Sequence, residues 1–138
     1  MISRDRSLHA VTGLYDAFKR GDLERARTSL DSDVVWVEHF PFPGTFHGPE
    51  AVCRVFQKVA ETFDMYEMTF EHLFSEDARV VSIGQYTVRR RDNPDVFRSR
   101  FAHLYQTRAG LITHYEGLLN TTAARDTFGE LRWDEEMA

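Results

Sequence analysis

The sequence predicts an α+β fold in which N-terminal helices pack against a strongly curved, mainly antiparallel sheet. Apolar residues recur at three- and four-residue steps through much of the chain up to Phe63, then alternate with polar ones at period two from Tyr66 to Asn120. The second-half segments are joined by turns of three to five residues, too short for parallel crossovers. A sheet curled over helices leaves a cone with an open end, a natural place for a ligand.

Leu8, Val11, Leu14, Tyr15 and Phe18 form one face of the first helix, and Gly21 after Lys19-Arg20 stops it. Asp22 caps a second, shorter helix carrying Leu23, Ala26 and Leu30. Asp31-Ser32-Asp33 reads as a turn. Val34 to Phe40 is β-branched and aromatic, hence a strand, broken by Pro41, Pro43 and Gly44. Gly48-Pro49-Glu50 opens a third helix with Val52, Val55, Phe56, Val59 and Phe63 as its buried stripe. Strands follow over Tyr66–Phe74, Val80–Arg90, Phe97–Gln106 and Leu111–Asn120, then a short helix from Thr121 to Phe128. One domain over residues 1–138 is expected, with flexible ends at 1–6 and 130–138.

Composition narrows the functions. Lys+Arg is 17 and Asp+Glu is 22, a net charge of −5 that makes a poor phosphate binder, so no nucleic-acid partner is expected. The basic cluster Arg89-Arg90-Arg91 reads as a solvated strand end. No apolar run approaches the ~20 residues of a membrane span, and MISRDRSLHA has no apolar signal region. The single cysteine, Cys53, excludes an intrachain disulfide and a Cys-based zinc site; its apolar helical setting reads as a core thiol, and a cytoplasmic location is expected. The six histidines show no metal-ligand spacing on a helix, so no metal is expected.

Glu38 is the carboxylate of most interest. On a strand it shares a face with Val34 and Trp36, where partial burial beside an indole raises its pKa and suits it to proton transfer near neutral pH. The structural alternative is a strand-end glutamate turning to solvent. Arg100 and His103 lie in mid-strand, on opposite faces, and both faces are mixed: Phe101, His103 and Tyr105 on one, Arg98, Arg100, Ala102 and Leu104 on the other. An inward Arg100 would need an anion, with Glu38 and Glu116 as protein candidates. On the last strand neither face is plainly buried, so a bulge is expected, with Gly117 as its site. Tyr15, Phe18, Trp36, Phe56, Tyr86 and Tyr115 are candidate cavity walls.

From Leu14 to Phe128 the chain resembles the NTF2-like superfamily, in particular its SnoaL-like and ketosteroid-isomerase-like branch. The segments carrying the resemblance are Leu14 to Leu23, Asp33 to Glu38, Gly44 to Val52, Phe101 to Tyr105, and Gly110 to Asn120. The resemblance implies a cone-shaped fold, an apolar cavity, no cofactor, and dimerisation through the outer sheet face. Glu38 matches the general-base position of ketosteroid isomerases. Their oxyanion-hole positions fall here on Leu14 and Ala102, which donate nothing; Tyr15 is one residue away, about 100° around the helix. Arg100 is similar to the arginine of limonene epoxide hydrolases, whose aspartates would fall near Ala102 and Asn120.

The expected function is therefore a cofactor-free isomerase, cyclase or lyase acting on a small hydrophobic or carbonyl-containing molecule. Glu38 would be the base, Arg100 or His103 would stabilise the oxyanion, Asn120 would complete the catalytic set, and Ala102 would join the cavity walls in binding the substrate. The alternative is a non-catalytic ligand-binding or dimerisation domain.

Overall fold

The computed structural model describes residues 2–129, with side chains from Arg6 onward. Helix α1 (Ile2–Arg20) is followed by α2 (Leu23–Thr28), β1 (Leu30–Glu38), β2 (Gly44–His47), α3 (Pro49–Thr62), β3 (Phe63–Glu76), β4 (Arg79–Arg90), β5 (Val96–Arg108), β6 (Leu111–Leu119) and α4 (Thr121–Phe128). The flexible end expected at 130–138 lies outside the described residues. At the other end, the backbone from Ile2 onward belongs to α1.

The helix boundaries follow local chemistry. Gly21 takes φ +69°, a left-handed conformation that glycine adopts without steric cost, and its N–H closes on the Phe18 carbonyl at 3.1 Å. The Asp22 carboxylate accepts the Arg25 N–H at 3.1 Å and starts α2. Pro49 occupies the first turn of α3, where a missing N–H costs nothing.

The six strands lie in the order β2-β1-β6-β5-β4-β3. All neighbours are antiparallel except β1 and β6, which run parallel. The sheet is thus mainly antiparallel, as expected, with one parallel pair that the short turns do not foretell. Short turns dictate antiparallel pairing only between consecutive strands, and β1 and β6 are separated by most of the chain. The break at Pro41, Pro43 and Gly44 leads into β2, a four-residue edge strand lying against β1 that the sequence pattern leaves unassigned. Asp31-Ser32-Asp33, read as a turn, is an irregular stretch inside β1, where the register against β6 shifts between Leu30 and Val35. The local turn chemistry is still there, since Asp31 accepts the Asp33 N–H at 2.9 Å.

Helices α1 and α3 cover the concave face. The core joins Val11, Leu14 and Ala17 of α1 and Val52, Val55 and Val59 of α3 to inward residues of every strand. Strand β5 alternates strictly: Phe97, Ser99, Phe101, His103, Tyr105 and Thr107 are buried, and their neighbours face out. The bulge expected at Gly117 lies instead near Thr113, where the β5–β6 register shifts and the inward face passes from Ile112 to Tyr115.

Glycine is required at Gly84, in mid-β4. A Cβ there would overlap the Thr69 carbonyl and lie 2.8 Å from Phe101 Cζ. Residue 84 sits beside the irregularity in β3 between Phe70 and His72. The Gly84→Ala variant is therefore expected to lose about 1–3 kcal/mol by overpacking, read from urea unfolding midpoints against wild type.

Candidate functional site

The cavity lies between α1, α3 and the concave sheet face. Its volume is about 40 Å³, and its walls are Leu14, Tyr15, Phe18, Trp36, Glu38, Pro41, Phe56, Val59, Tyr66, Met68, Tyr86, His103, Tyr105 and Tyr115. All five tyrosines of the sequence stand on this one lining. A groove of about 950 Å³ between α1, α3 and β3 shares Tyr15, Phe18, Phe56, Val59, Tyr66 and Met68 with the cavity and opens it toward solvent.

Strand alternation places Trp36 and Glu38 side by side on the inner face of β1. The indole Nε1–H donates to Glu38 Oε1 at 2.8 Å. The other carboxyl oxygen receives no hydrogen bond from any described residue. Glu38 is 8% exposed, and burial pushes its pKa up to about 8. The indole N–H, which favours the charged form, opposes that shift only in part. Trp36 is held by stacking on Tyr115 at 3.8 Å between ring centroids and by an edge contact with Phe56.

His103 lines the same cavity from β5, and its ring is buried. Burial without an acidic partner lowers its pKa to about 3, so it is neutral at physiological pH. Its Nδ1 meets the Tyr15 hydroxyl at 2.7 Å and its Nε2 meets the Tyr86 hydroxyl. Tyr15 is also bonded to Ser82 Oγ, beneath it on β4. In the sheet, Ser82, His103 and Gly117 stand abreast on β4, β5 and β6. Gly117 presents no side chain there; a Cβ would collide with the Tyr115 hydroxyl, so glycine leaves the floor free for that ring. Every one of the five tyrosines has its pKa raised, with desolvation the largest cause, so all five hydroxyls keep their protons.

Eight of the eleven side chains singled out in the sequence line the cavity: Tyr15, Phe18, Trp36, Glu38, Phe56, Tyr86, His103 and Tyr115. Three do not. Arg100 is on the outer face, 66% exposed, and its guanidinium donates to Glu71 at 2.9 Å. The two faces of β5 looked equally mixed because the inner one carries Ser99 and His103 while the outer one carries Ala102 and Leu104. Ala102 accordingly lies on the outer face, between Ile83 and Leu118. Asn120 caps α4, its side-chain oxygen accepting the Ala123 N–H at 3.0 Å. Glu116, once a candidate partner for Arg100, pairs with His39 at 2.7 Å.

The sequence reading missed Tyr66, Ser82 and Tyr105 as site residues. The signal was present: Ser82 and Tyr86 share a strand parity with Val80 and Val88, and Tyr105 shares one with Phe101 and His103. Among the described residues no three His, Cys, Asp or Glu side chains gather as a metal site, and no helix is long and apolar enough to cross a membrane.

Glu38 and His103 both link stability to pH. The folded state holds the Glu38 proton to about pH 8, whereas the ordinary carboxyl releases it near 4.5. Between those values the folded state binds more protons, so stability falls as pH rises, by at most about 1.4 kcal/mol per pH unit. His103 acts at the acid end. Its folded pKa of about 3 lies below the ordinary 6.5, so stability is lost as pH drops through that window. The melting temperature of Glu38→Gln relative to wild type is expected to rise steadily from pH 5 to pH 8 and level off above it, as followed by circular dichroism.

The SnoaL-like domain family matches residues 11–115. Comparison with curated proteins gives no match. Solved structures give many. An NTF2-like protein from Burkholderia thailandensis is 26% identical with a TM-score of 0.81, covering 88% of this chain and 95% of that one. TerC, co-crystallised with polyporic acid, is 20% identical with a TM-score of 0.77 over 88% of this chain and 97% of its own. A protein of ketosteroid-isomerase-like fold from Catenulispora acidiphila, in complex with trimethylamine, is 18% identical with a TM-score of 0.77, over 88% and 93%.

Proposed function

The chain belongs to the SnoaL-like domain family, and from that premise we propose that its cone houses a cofactor-free acid–base enzyme acting on a small, mainly apolar carbonyl compound. The observation that carries this reading is the Glu38 carboxyl. One oxygen is held by Trp36, and the other is left to a cavity edged with tyrosine hydroxyls. Ionised, Glu38 takes a proton from the carbon next to the carbonyl. Protonated, it returns that proton elsewhere on the substrate, which completes an isomerisation or a ring closure. The negative charge that develops on the carbonyl oxygen is met by neutral tyrosine hydroxyls, preorganised donors in a dry site. Arg100 has no part in this, being on the opposite face of the sheet.

The reaction can be followed without knowing the product. Exchange of α-protons of a panel of ketones and phenolic ketones into D2O is read by proton NMR. Wild type is expected to catalyse exchange at a rate that climbs with pH and reaches a plateau above about 8, because the base is the ionised form. Glu38→Gln is expected to lose roughly 10²–10⁴-fold. An equal rate in that variant removes Glu38 as the base.

A second reading has its own support. A carboxyl ringed by tyrosines, Trp36 and two phenylalanines has the chemistry of a cage for a small alkylammonium ion, bound by ring faces and a carboxylate. The trimethylamine complex of the Catenulispora protein accords with it. Under this reading the domain binds without catalysing, tetramethylammonium chloride raises the melting temperature more than sodium chloride does, and Glu38→Gln abolishes the difference.

Self-association through the outer sheet face suits either reading. Phe74, Val81 and Leu104 lie abreast there, next to the row of Ile83, Ala102 and Leu118, and Phe74, Leu104 and Leu118 are exposed. A dimer formed on this face is expected to become a monomer with Leu104→Glu, as measured by sedimentation equilibrium.

A further inference from the structure

We propose that His103 is a positioning residue: the Tyr15 hydroxyl holds its Nδ1 as an acceptor, so that its Nε2–H points at Tyr86 and leaves the Tyr86 hydroxyl as a donor aimed into the cavity. The direction of these hydrogen bonds follows from counting protons. The inference rests on the acid–base reading only for what Tyr86 meets there, the carbonyl oxygen of a substrate.

A neutral imidazole carries one N–H, so of the two hydroxyls that flank His103 one donates to the ring and the other accepts from it. Two arrangements satisfy that rule. In the first, Ser82 donates to Tyr15, Tyr15 donates to Nδ1, and Nε2–H donates to Tyr86. In the second, Nδ1–H donates to Tyr15, Tyr15 donates to Ser82, and Tyr86 donates to Nε2.

Ser82 decides between them. It is fully buried, and Tyr15 is its one side-chain partner among the described residues. In the second arrangement the Ser82 proton has no acceptor, and a buried donor left unpaired is disfavoured. Sending the Tyr15 proton to its neighbour Tyr105 only moves the deficit, because the Tyr105 hydroxyl is then left with no protein acceptor, only the cavity it lines. In the first arrangement Ser82 donates to Tyr15, Tyr15 to Nδ1 and Nε2–H to Tyr86, so every proton along that chain has a partner as far as Tyr86. The Tyr86 proton is then directed to its neighbour Tyr66 or to a guest's oxygen on the Glu38 side of the cavity. His103 thus relays an orientation set at Ser82 and Tyr15 across to the side of the cavity where the carboxyl lies. By donating to Tyr86 it also makes that hydroxyl a stronger donor in turn.

The test is the tautomer itself, read on the whole chain labelled with ¹⁵N-histidine by two-bond ¹H–¹⁵N correlation at pH 7, with His103 assigned by its loss in His103→Gln. The expected spectrum has Nε2 protonated and Nδ1 bare. Tyr86→Phe is expected to keep that pattern, because Tyr15 still holds Nδ1, whereas Tyr15→Phe is expected to turn it into a mixture of both tautomers. An Nδ1–H tautomer or an imidazolium in wild type overturns the proposal, as does a Tyr15→Phe spectrum identical to wild type. These readouts need no substrate. If they come out as stated while Glu38→Gln leaves α-proton exchange unchanged, the acid–base reading fails and the hydrogen-bond direction stands.

Discussion

One buried carboxyl organises the interior. Glu38 is removed from water with a single N–H donor for company, and charge in that position is costly enough that the proton stays on to about pH 8. The surroundings fit a neutral acid. No described lysine or arginine reaches the cavity lining, and the other polar side chains on it are neutral tyrosines, one neutral histidine and an indole. A cation on that lining would return Glu38 to an ordinary carboxylate and remove its capacity to exchange a proton near neutral pH. Arg100 on the outer face is thus consistent with the chemistry of the inside.

The second constraint is satisfaction of buried polar atoms. A tyrosine on α1, a serine and a tyrosine on β4 and a histidine on β5 are joined into one chain of hydrogen bonds, and every fully enclosed side-chain nitrogen or oxygen among the described residues has a partner; the free Glu38 oxygen faces the cavity instead. The chain also ties α1 to the sheet at the height of the cavity, which a purely apolar contact would do with less directional control. Positioning and stability are therefore coupled at Tyr15, and its removal disturbs both the packing of α1 and the tautomer of His103.

Much of this was legible in the sequence. Period-two alternation put Glu38 and Trp36 on one face, and the helical stripes of α1 and α3 supplied the opposite wall. What escaped has physical reasons. A parallel pairing between β1 and β6 leaves no local signature, because its partners are distant in the chain. A four-residue edge strand such as β2 is too short for alternation to show between two prolines and a glycine. Arg100 is open to the inside in sequence because polar residues on the inner face of β5 cancel the contrast on which face assignment depends, whereas Ala102 and Asn120 enter only through the family resemblance. The inner faces of β4 and β5 carry Ser82, Ser99 and His103, and a polar residue on a buried face looks the same in sequence as one on a wet face. It is the partner, here Tyr15 or Tyr86, that distinguishes them, and partners are set by tertiary structure.

Cavity size then limits what can be bound. A volume of about 40 Å³ has room for about three waters, less than any ketone with an enolisable carbon requires. A guest therefore takes space from side chains that also face the 950 Å³ groove, where Phe18 rests edge-on against Phe56 and Tyr66 beside Met68. Met68 has the freedom to yield, being unbranched, and Phe18 sits at the last turn of α1, ahead of Gly21. The polar end of the cavity is different. Glu38, Trp36, His103 and Tyr86 are each fixed by a directed hydrogen bond. The mouth has room to adapt to the bulk of a guest while the polar end keeps its geometry, and under the proposed acid–base reading this division would let one scaffold take differently shaped molecules with the same proton-transfer geometry.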